Sequence, residues 1–222
     1  MPLALFDLDN TLVDRQAAFV AWSQQFARRH GLGIEAVELL AQVDDNGFAS
    51  RQVVFDAVRG RYGLAQTTDD LIEAYRASYP DFFEPNPSVN QALRRLRSLD
   101  WRIGVVTNGP PSQRTKLERA GLVDLVDAWC ISDEVGVAKP DRRIFEEAVV
   151  RCRVSGFTSG AMWMVGDTAV PDIQGGRNAG LKTIWLHHGR TWDHADFRPD
   201  EVAASITDAV DLMVAASKGP TA

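Results

Sequence analysis

Two carboxylates stand two residues apart at the end of an apolar run, where Leu3-Ala4-Leu5-Phe6 leads into Asp7-Leu8-Asp9-Asn10-Thr11. Like charges held close repel, and burying either is costly without a partner. A small hard cation offsets that cost. Mg2+ fits, because it takes one or two carboxylates together with substrate phosphate oxygens and water. Three later stretches carry matching chemistry: Thr107-Asn108-Gly109, Lys139-Pro140, and Gly166-Asp167 with Asp172 five residues on. Asp7 and Asp167 can supply the metal's carboxylates, and a backbone carbonyl near Asp9 can add a ligand. Thr107 and the N–H groups after it can hold phosphate oxygens. Lys139 supplies a point charge beside the nucleophile and the phosphoryl group.

These residues act together only if the fold gathers them. Continuous apolar runs at Leu3 to Leu8, Ile103 to Thr107, Ala128 to Ile131, Met162 to Val165 and Thr183 to Leu186 read as strands buried on both faces. Helical patterns separate them, opening at Pro87-Ser88, Ser112 and Pro140-Asp141. The alternation predicts an α/β domain with a doubly wound parallel sheet. Ligands of such sheets bind at the carboxyl ends of the strands, where all four stretches fall. Residues 15–84 break the alternation and show helical periodicity alone, with Phe19, Trp22, Phe26, Val53, Val54, Ala57 and Val58 on apolar stripes. They read as a helical domain inserted into a core formed by 1–14 and 85–222.

The ordered set Asp7-x-Asp9-x-Thr11, Thr107-Asn108, Lys139-Pro140 and Gly166-Asp167-x4-Asp172, followed by Gly175-Gly176-Arg177-Asn178-Ala179-Gly180, resembles the haloacid dehalogenase superfamily. The resemblance covers essentially the whole α/β part. It implies a Rossmann-like core with a small helical cap that closes over the site and selects substrates. It implies that Asp7 is the nucleophile and forms an aspartyl-phosphate. Asp9 would protonate the leaving oxygen and then activate water, and Thr107 and Asn108 would bind the phosphoryl group. The metal site would draw on Asp7, Asp9, Asp167 and Asp172, with Asp172 ordering the metal's waters or Lys139. A halide leaves without a proton whereas an alkoxide needs one, so an acid at Asp9 favours phosphate esters. Arg51, at a helix start in the insert, is a candidate substrate contact.

The expected function is therefore Mg2+-dependent hydrolysis of a small phosphorylated metabolite, such as a sugar phosphate, phosphoglycolate or a nucleotide. The alternatives are a phosphomutase or dehalogenase of the same superfamily, or a non-catalytic binding protein on this fold. The net charge of −6 and pI near 5.2 argue against nucleic acid as a partner. The chain opens without a signal-peptide pattern, and no apolar run could span a bilayer, so the expectation is a cytoplasmic protein with no membrane partner. Monomer and homodimer stay equally open. Cys130 and Cys152 form no metal or disulfide motif. The adjacent His187 and His188 point to opposite faces in an extended chain and cannot easily share a metal.

Overall fold

The apolar runs become strands of one sheet. In this computed structural model, which describes residues 1–154 and 162–217, β1 (Leu3–Phe6), β2 (Arg102–Thr107), β3 (Ala128–Ile131), β4 (Met162–Gly166) and β5 (Lys182–Leu186) follow the expected segments closely. A sixth strand, β6 (Glu201–Ala203), was not anticipated. The order is β3-β2-β1-β4-β5-β6, and every pairing is parallel. β1 ends two residues before the expected Leu8. The Asp7 N–H still bonds to the Val165 carbonyl at 2.9 Å. The chain then reverses, and the N–H groups of Thr11, Leu12 and Val13 converge on the Leu8 carbonyl at 3.2, 2.9 and 3.1 Å. Asn10 takes the left-handed conformation in this turn (φ 58°), which asparagine tolerates better than most residues.

The chain divides into two compact units, one formed by Met1–Val13 and Glu84–Ala222 and the other by Asp14–Phe83. In the first, α5 (Pro87–Ser98) packs on α10 (Ile206–Ser217) and on β2, while α8 (Arg142–Arg151) lies on β2 and β3. The alternation of a strand sends Leu3 and Leu5 into one core with Ile144, Phe145 and Ala148 of α8. The shorter α6 (Gln113–Arg119), α7 (Ser132–Val135) and α9 (Gly175–Asn178) follow β2, β3 and a π-helical turn at Ala169–Gln174.

The second unit is all helical, with α1 (Arg15–Arg29), α2 (Ile34–Asp44), α3 (Arg51–Tyr62) and α4 (Thr68–Ser78). Its helix ends are chemically marked. The Asp14 carboxylate caps α1 at Ala17 N (2.8 Å), and Thr67 with Asp70 forms a reciprocal capping box on α4. Phe19, Trp22, Phe26, Phe55 and Tyr75 fill its core, and Trp22 meets Tyr75 edge to face at 4.9 Å. Among the described residues, no helix is long and apolar enough to cross a membrane.

Candidate active site

The carboxyl rim of the sheet gathers the acidic residues. One carboxylate oxygen from each of Asp7, Asp167 and Asp172 lies within 4.8 Å of the others, and all three residues are buried. Lys139 enters between them, its Nζ 2.6 Å from Asp7 Oδ1 and 2.7 Å from Asp172 Oδ1, with only 2% of its side chain exposed. Asp172 reaches this position because residue 166 is glycine. A Cβ there would stand 2.3 Å from the Asp172 carboxyl carbon.

Two of the three carboxyls contact this ammonium and Asp167 pairs with Arg190, and the electrostatics follow. Burial raises the Asp7 carboxyl most. Lys139 pulls it back, Asp172 and Asp167 push it up again, and it settles at about 8. Asp167 is lifted to about 6, first by burial and then by Asp172, against the pull of Arg190. Burial pulls the Lys139 ammonium down, but Asp172 and Asp7 outweigh it and hold it above the ordinary lysine value.

The donor set suits a small hard cation. All the donors are oxygens, they are out of water, and they carry more negative charge than Lys139 neutralises. The roles within the set differ. Asp172 is the most heavily engaged, Oδ1 by Lys139 and Oδ2 by Thr168 N (2.9 Å) and Thr168 Oγ1 (2.6 Å). It orders Lys139 and the turn after β4, whereas Asp7 and Asp167 each accept fewer side-chain bonds. Asp9 does not join the cluster through its side chain. Its two oxygens lie 2.7 and 2.6 Å from Lys116 Nζ, and Gln113 Nε2 donates to Oδ2 at 3.0 Å. The Asp9 carboxylate is thus held on α6, an arrangement compatible with the expected metal contact through a backbone carbonyl near Asp9.

Thr107 closes β2, and its Oγ1 accepts from Gln113 Nε2 at 2.7 Å. Asn108 reaches across to the neighbouring loop. Its Nδ2 donates to the Lys139 carbonyl (2.9 Å) and its Oδ1 accepts from Lys139 N (2.8 Å). The side chain is a clasp on the lysine loop, with the second Nδ2 N–H and the backbone N–H remaining for an anion. Arg51 lies in the helical unit. Its Nη2 donates to Asp44 Oδ1 (2.5 Å) and the Ala49 carbonyl (3.0 Å), and its guanidinium lies over Tyr75 and Phe19. Arg15 holds the same Asp44 through two bonds of 2.7 and 2.8 Å, so two cations share one buried carboxylate.

Three neighbours of the site were missed in the sequence. Gln113 and Lys116 are one turn apart at the start of α6, directly after the Thr107 segment, and that spacing was a usable signal. Arg190 had none. Its Nη2 donates to the Asp167 carbonyl (2.6 Å) and to Asp167 Oδ2 (3.2 Å), while Trp185 Nε1 donates to the same carbonyl at 2.9 Å. His188 places Nε2 2.7 Å from the Asn10 carbonyl, and His187 Nδ1 accepts from Gly189 N, so the pair shares no ligand position.

A lysine-balanced aspartate cluster at the carboxyl edge of a doubly wound sheet defines an α/β enzyme whose site is built from oxygen donors. The family model of the haloacid dehalogenase-like hydrolases matches residues 1–180, and the chain belongs to that family. It is 32% identical over 199 residues to the glyceraldehyde 3-phosphate phosphatase of Pyrococcus abyssi, covering 83% of this chain and 81% of that one. It is 42% identical over 121 residues to the pyrimidine 5'-nucleotidase YjjG of Escherichia coli, a match spanning 53% of this chain and about half (52%) of that relative. Among solved structures, the HAD-hydrolase YfnB from Bacillus subtilis bound to magnesium superposes with a TM-score of 0.76 over 96% of this chain and 98% of that one. Its sequence identity is 21%, and the likeness is one of fold.

Proposed function

We propose that this chain is a Mg2+-dependent phosphomonoester hydrolase acting on a small phosphorylated metabolite through an aspartyl-phosphate on Asp7. The observation that carries the reading is the buried Asp7 carboxylate, 2.6 Å from Lys139 Nζ, with a second carboxylate two residues on at Asp9. Relatives named as phosphatases of glyceraldehyde 3-phosphate and phosphoserine, and as pyrimidine 5'-nucleotidases, support the phosphate-ester class.

In this reading Asp7 and Asp167, with the backbone carbonyl at Asp9, hold the ion. When bound, the ion neutralises the carboxylates and the transferring phosphoryl oxygens. Asp7 attacks phosphorus, and Lys139 favours the ionised form of the nucleophile and aims it. The Thr107 hydroxyl already accepts from Gln113, so its own proton is left to donate to a phosphoryl oxygen. Asp9 gives a proton to the departing ester oxygen and later takes one from the water that hydrolyses the intermediate. Arg51 is proposed as a contact for the remainder of the substrate. Its Nη1 is buried without a hydrogen-bond partner, leaving a donor for a carboxylate, hydroxyl or second phosphate.

The test is phosphate release from a panel of sugar phosphates, phosphoglycolate and nucleoside monophosphates with Mg2+, wild type beside Asp7→Asn. Activity on some members that is absent in the variant supports the reading. Silence across the panel and with p-nitrophenyl phosphate, or equal release by the variant, refutes it.

A further inference from the structure

Lys116 is an unusual place for a lysine. Its side chain is 9% exposed, and its Nζ lies within 2.7 Å of one Asp9 oxygen and 2.6 Å of the other. Ordering a long side chain out of water is costly in rotamer entropy and desolvation, so an arrangement of this kind differs from a solvated surface pair. Gln113, one turn earlier on the same face of α6, completes the seat. Its Nε2 reaches Asp9 Oδ2 at 3.0 Å and Thr107 Oγ1 at 2.7 Å. One helix end thus holds both the Asp9 carboxylate and the hydroxyl of the phosphoryl-binding strand.

We infer that Lys116, with Gln113, is the positioning residue for Asp9, fixing where its carboxyl group stands relative to the phosphoryl group. The inference rests on the proposed acid–base role of Asp9. In the first half-reaction an Asp7 oxygen bonds to phosphorus as the bond to the ester oxygen breaks. The electron pair stays on the ester oxygen, which takes the Asp9 proton. In the second, a water oxygen bonds to phosphorus and the Asp7–phosphorus bond breaks with its electrons returning to Asp7. The water's proton goes to Asp9. Between the two, Asp9 is an anion, and the Lys116 ammonium receives it without letting it turn toward the phosphoryl oxygens. The same residue serves both directions of proton transfer because the seat does not change.

The consequence is read in leaving-group dependence. A misplaced acid hurts esters whose leaving group needs a proton and spares those whose leaving group departs as an anion. The experiment measures kcat/KM, which reports on formation of the aspartyl-phosphate, for a series of aryl phosphates from p-nitrophenyl to phenyl. The enzymes are wild type, Asp9→Asn, Lys116→Met and Lys116→Arg, with Mg2+. The slope of log kcat/KM against leaving-group pKa is expected to steepen in Asp9→Asn and in Lys116→Met. Lys116→Met should lose about tenfold or more on phenyl phosphate and less than about threefold on p-nitrophenyl phosphate, with Lys116→Arg recovering part of the loss. A uniform loss across the series in Lys116→Met, with a steepened slope in Asp9→Asn, overturns the positioning role and leaves the acid intact. An unchanged slope in Asp9→Asn overturns the acid assignment itself and the inference with it. Lys116→Gln carries the same test if the methionine variant does not fold.

Discussion

Replacing Lys139 by methionine keeps the unbranched apolar stem of the side chain and removes its charge. Two charge-assisted contacts disappear, at 2.6 Å to Asp7 and 2.7 Å to Asp172, from a position that is 2% exposed. Three carboxyl groups then share a buried space without an ammonium. Removing one partner of a buried ion pair costs about 3–5 kcal/mol, because the remaining charge is left uncompensated. For a chain of 222 residues, that corresponds to a drop of roughly 6–20 °C in Tm. The loss must depend on pH in a definite direction. A carboxyl whose folded-state pKa lies above its unfolded value adds stability at low pH, and that stability fades as pH climbs through the folded value. Asp7 rises from 3.8 to about 8 and Asp167 from 3.8 to about 6, so the chelated wild type should lose stability between about pH 4 and pH 8. Without Lys139 the carboxyls repel more strongly once ionised. The gap between variant and wild type should therefore widen from pH 5.5 to pH 8.5. Thermal melts of both proteins in a chelating buffer measure it. A gap below about 1 kcal/mol at pH 8.5, or one that does not change with pH, would refute the picture of an ammonium holding ionised carboxylates together.

Three other outcomes follow from the same geometry. Since Asp7 and Asp167 must release protons to take a cation, Mg2+ affinity measured by calorimetry should rise between pH 6 and pH 8, by up to about tenfold per pH unit; a flat profile would remove these carboxyls from the metal site. Gly166→Ala places a methyl 2.3 Å from the Asp172 carboxyl carbon and should cost about 1–3 kcal/mol in urea unfolding, with loss of activity as Lys139 is displaced. Arg51→Ala should raise KM for the preferred substrate about tenfold with little change in kcat, and unchanged steady-state kinetics would exclude Arg51 from substrate binding.

The core strands were legible because β1 to β5 are buried on both faces and so leave continuous apolar runs. β6 left no such mark. It is three residues long, at the sheet's edge, and only Ala203 of Glu201–Ala203 is buried. The helices of residues 15–84 were readable from periodicity, which survives without knowledge of tertiary contacts. In the site, the sequence revealed residues whose chemistry is fixed by their place at a strand end. It could not reveal where a side chain turns. The Asn108 clasp was not legible, because it depends on the lysine loop presenting a carbonyl and an N–H at the right spacing. Asp9 looked like part of the acidic cluster and leans instead on α6. Arg190 comes from a loop whose path no local pattern predicts, tied down at the His187 carbonyl by Arg190 N at 2.8 Å.

The Asn108 clasp also bears on how the protein ages. Asn108 is followed by Gly109, the pairing in which a backbone nitrogen most readily closes on the preceding side-chain amide to form a succinimide. Here both reacting groups are already engaged. Gly109 N–H donates to Ser132 Oγ at 2.9 Å, and the Asn108 amide is held at both ends by Lys139. Ring closure must first break those bonds. Were it to proceed, the aspartate produced would set an anion against the Lys139 carbonyl, with the Lys139 N–H still donating to it but the amide's own donor gone. The contact that aligns the lysine loop therefore also protects the site from its own most labile amide, and loosening that loop should shorten the protein's shelf life as well as weaken its chemistry.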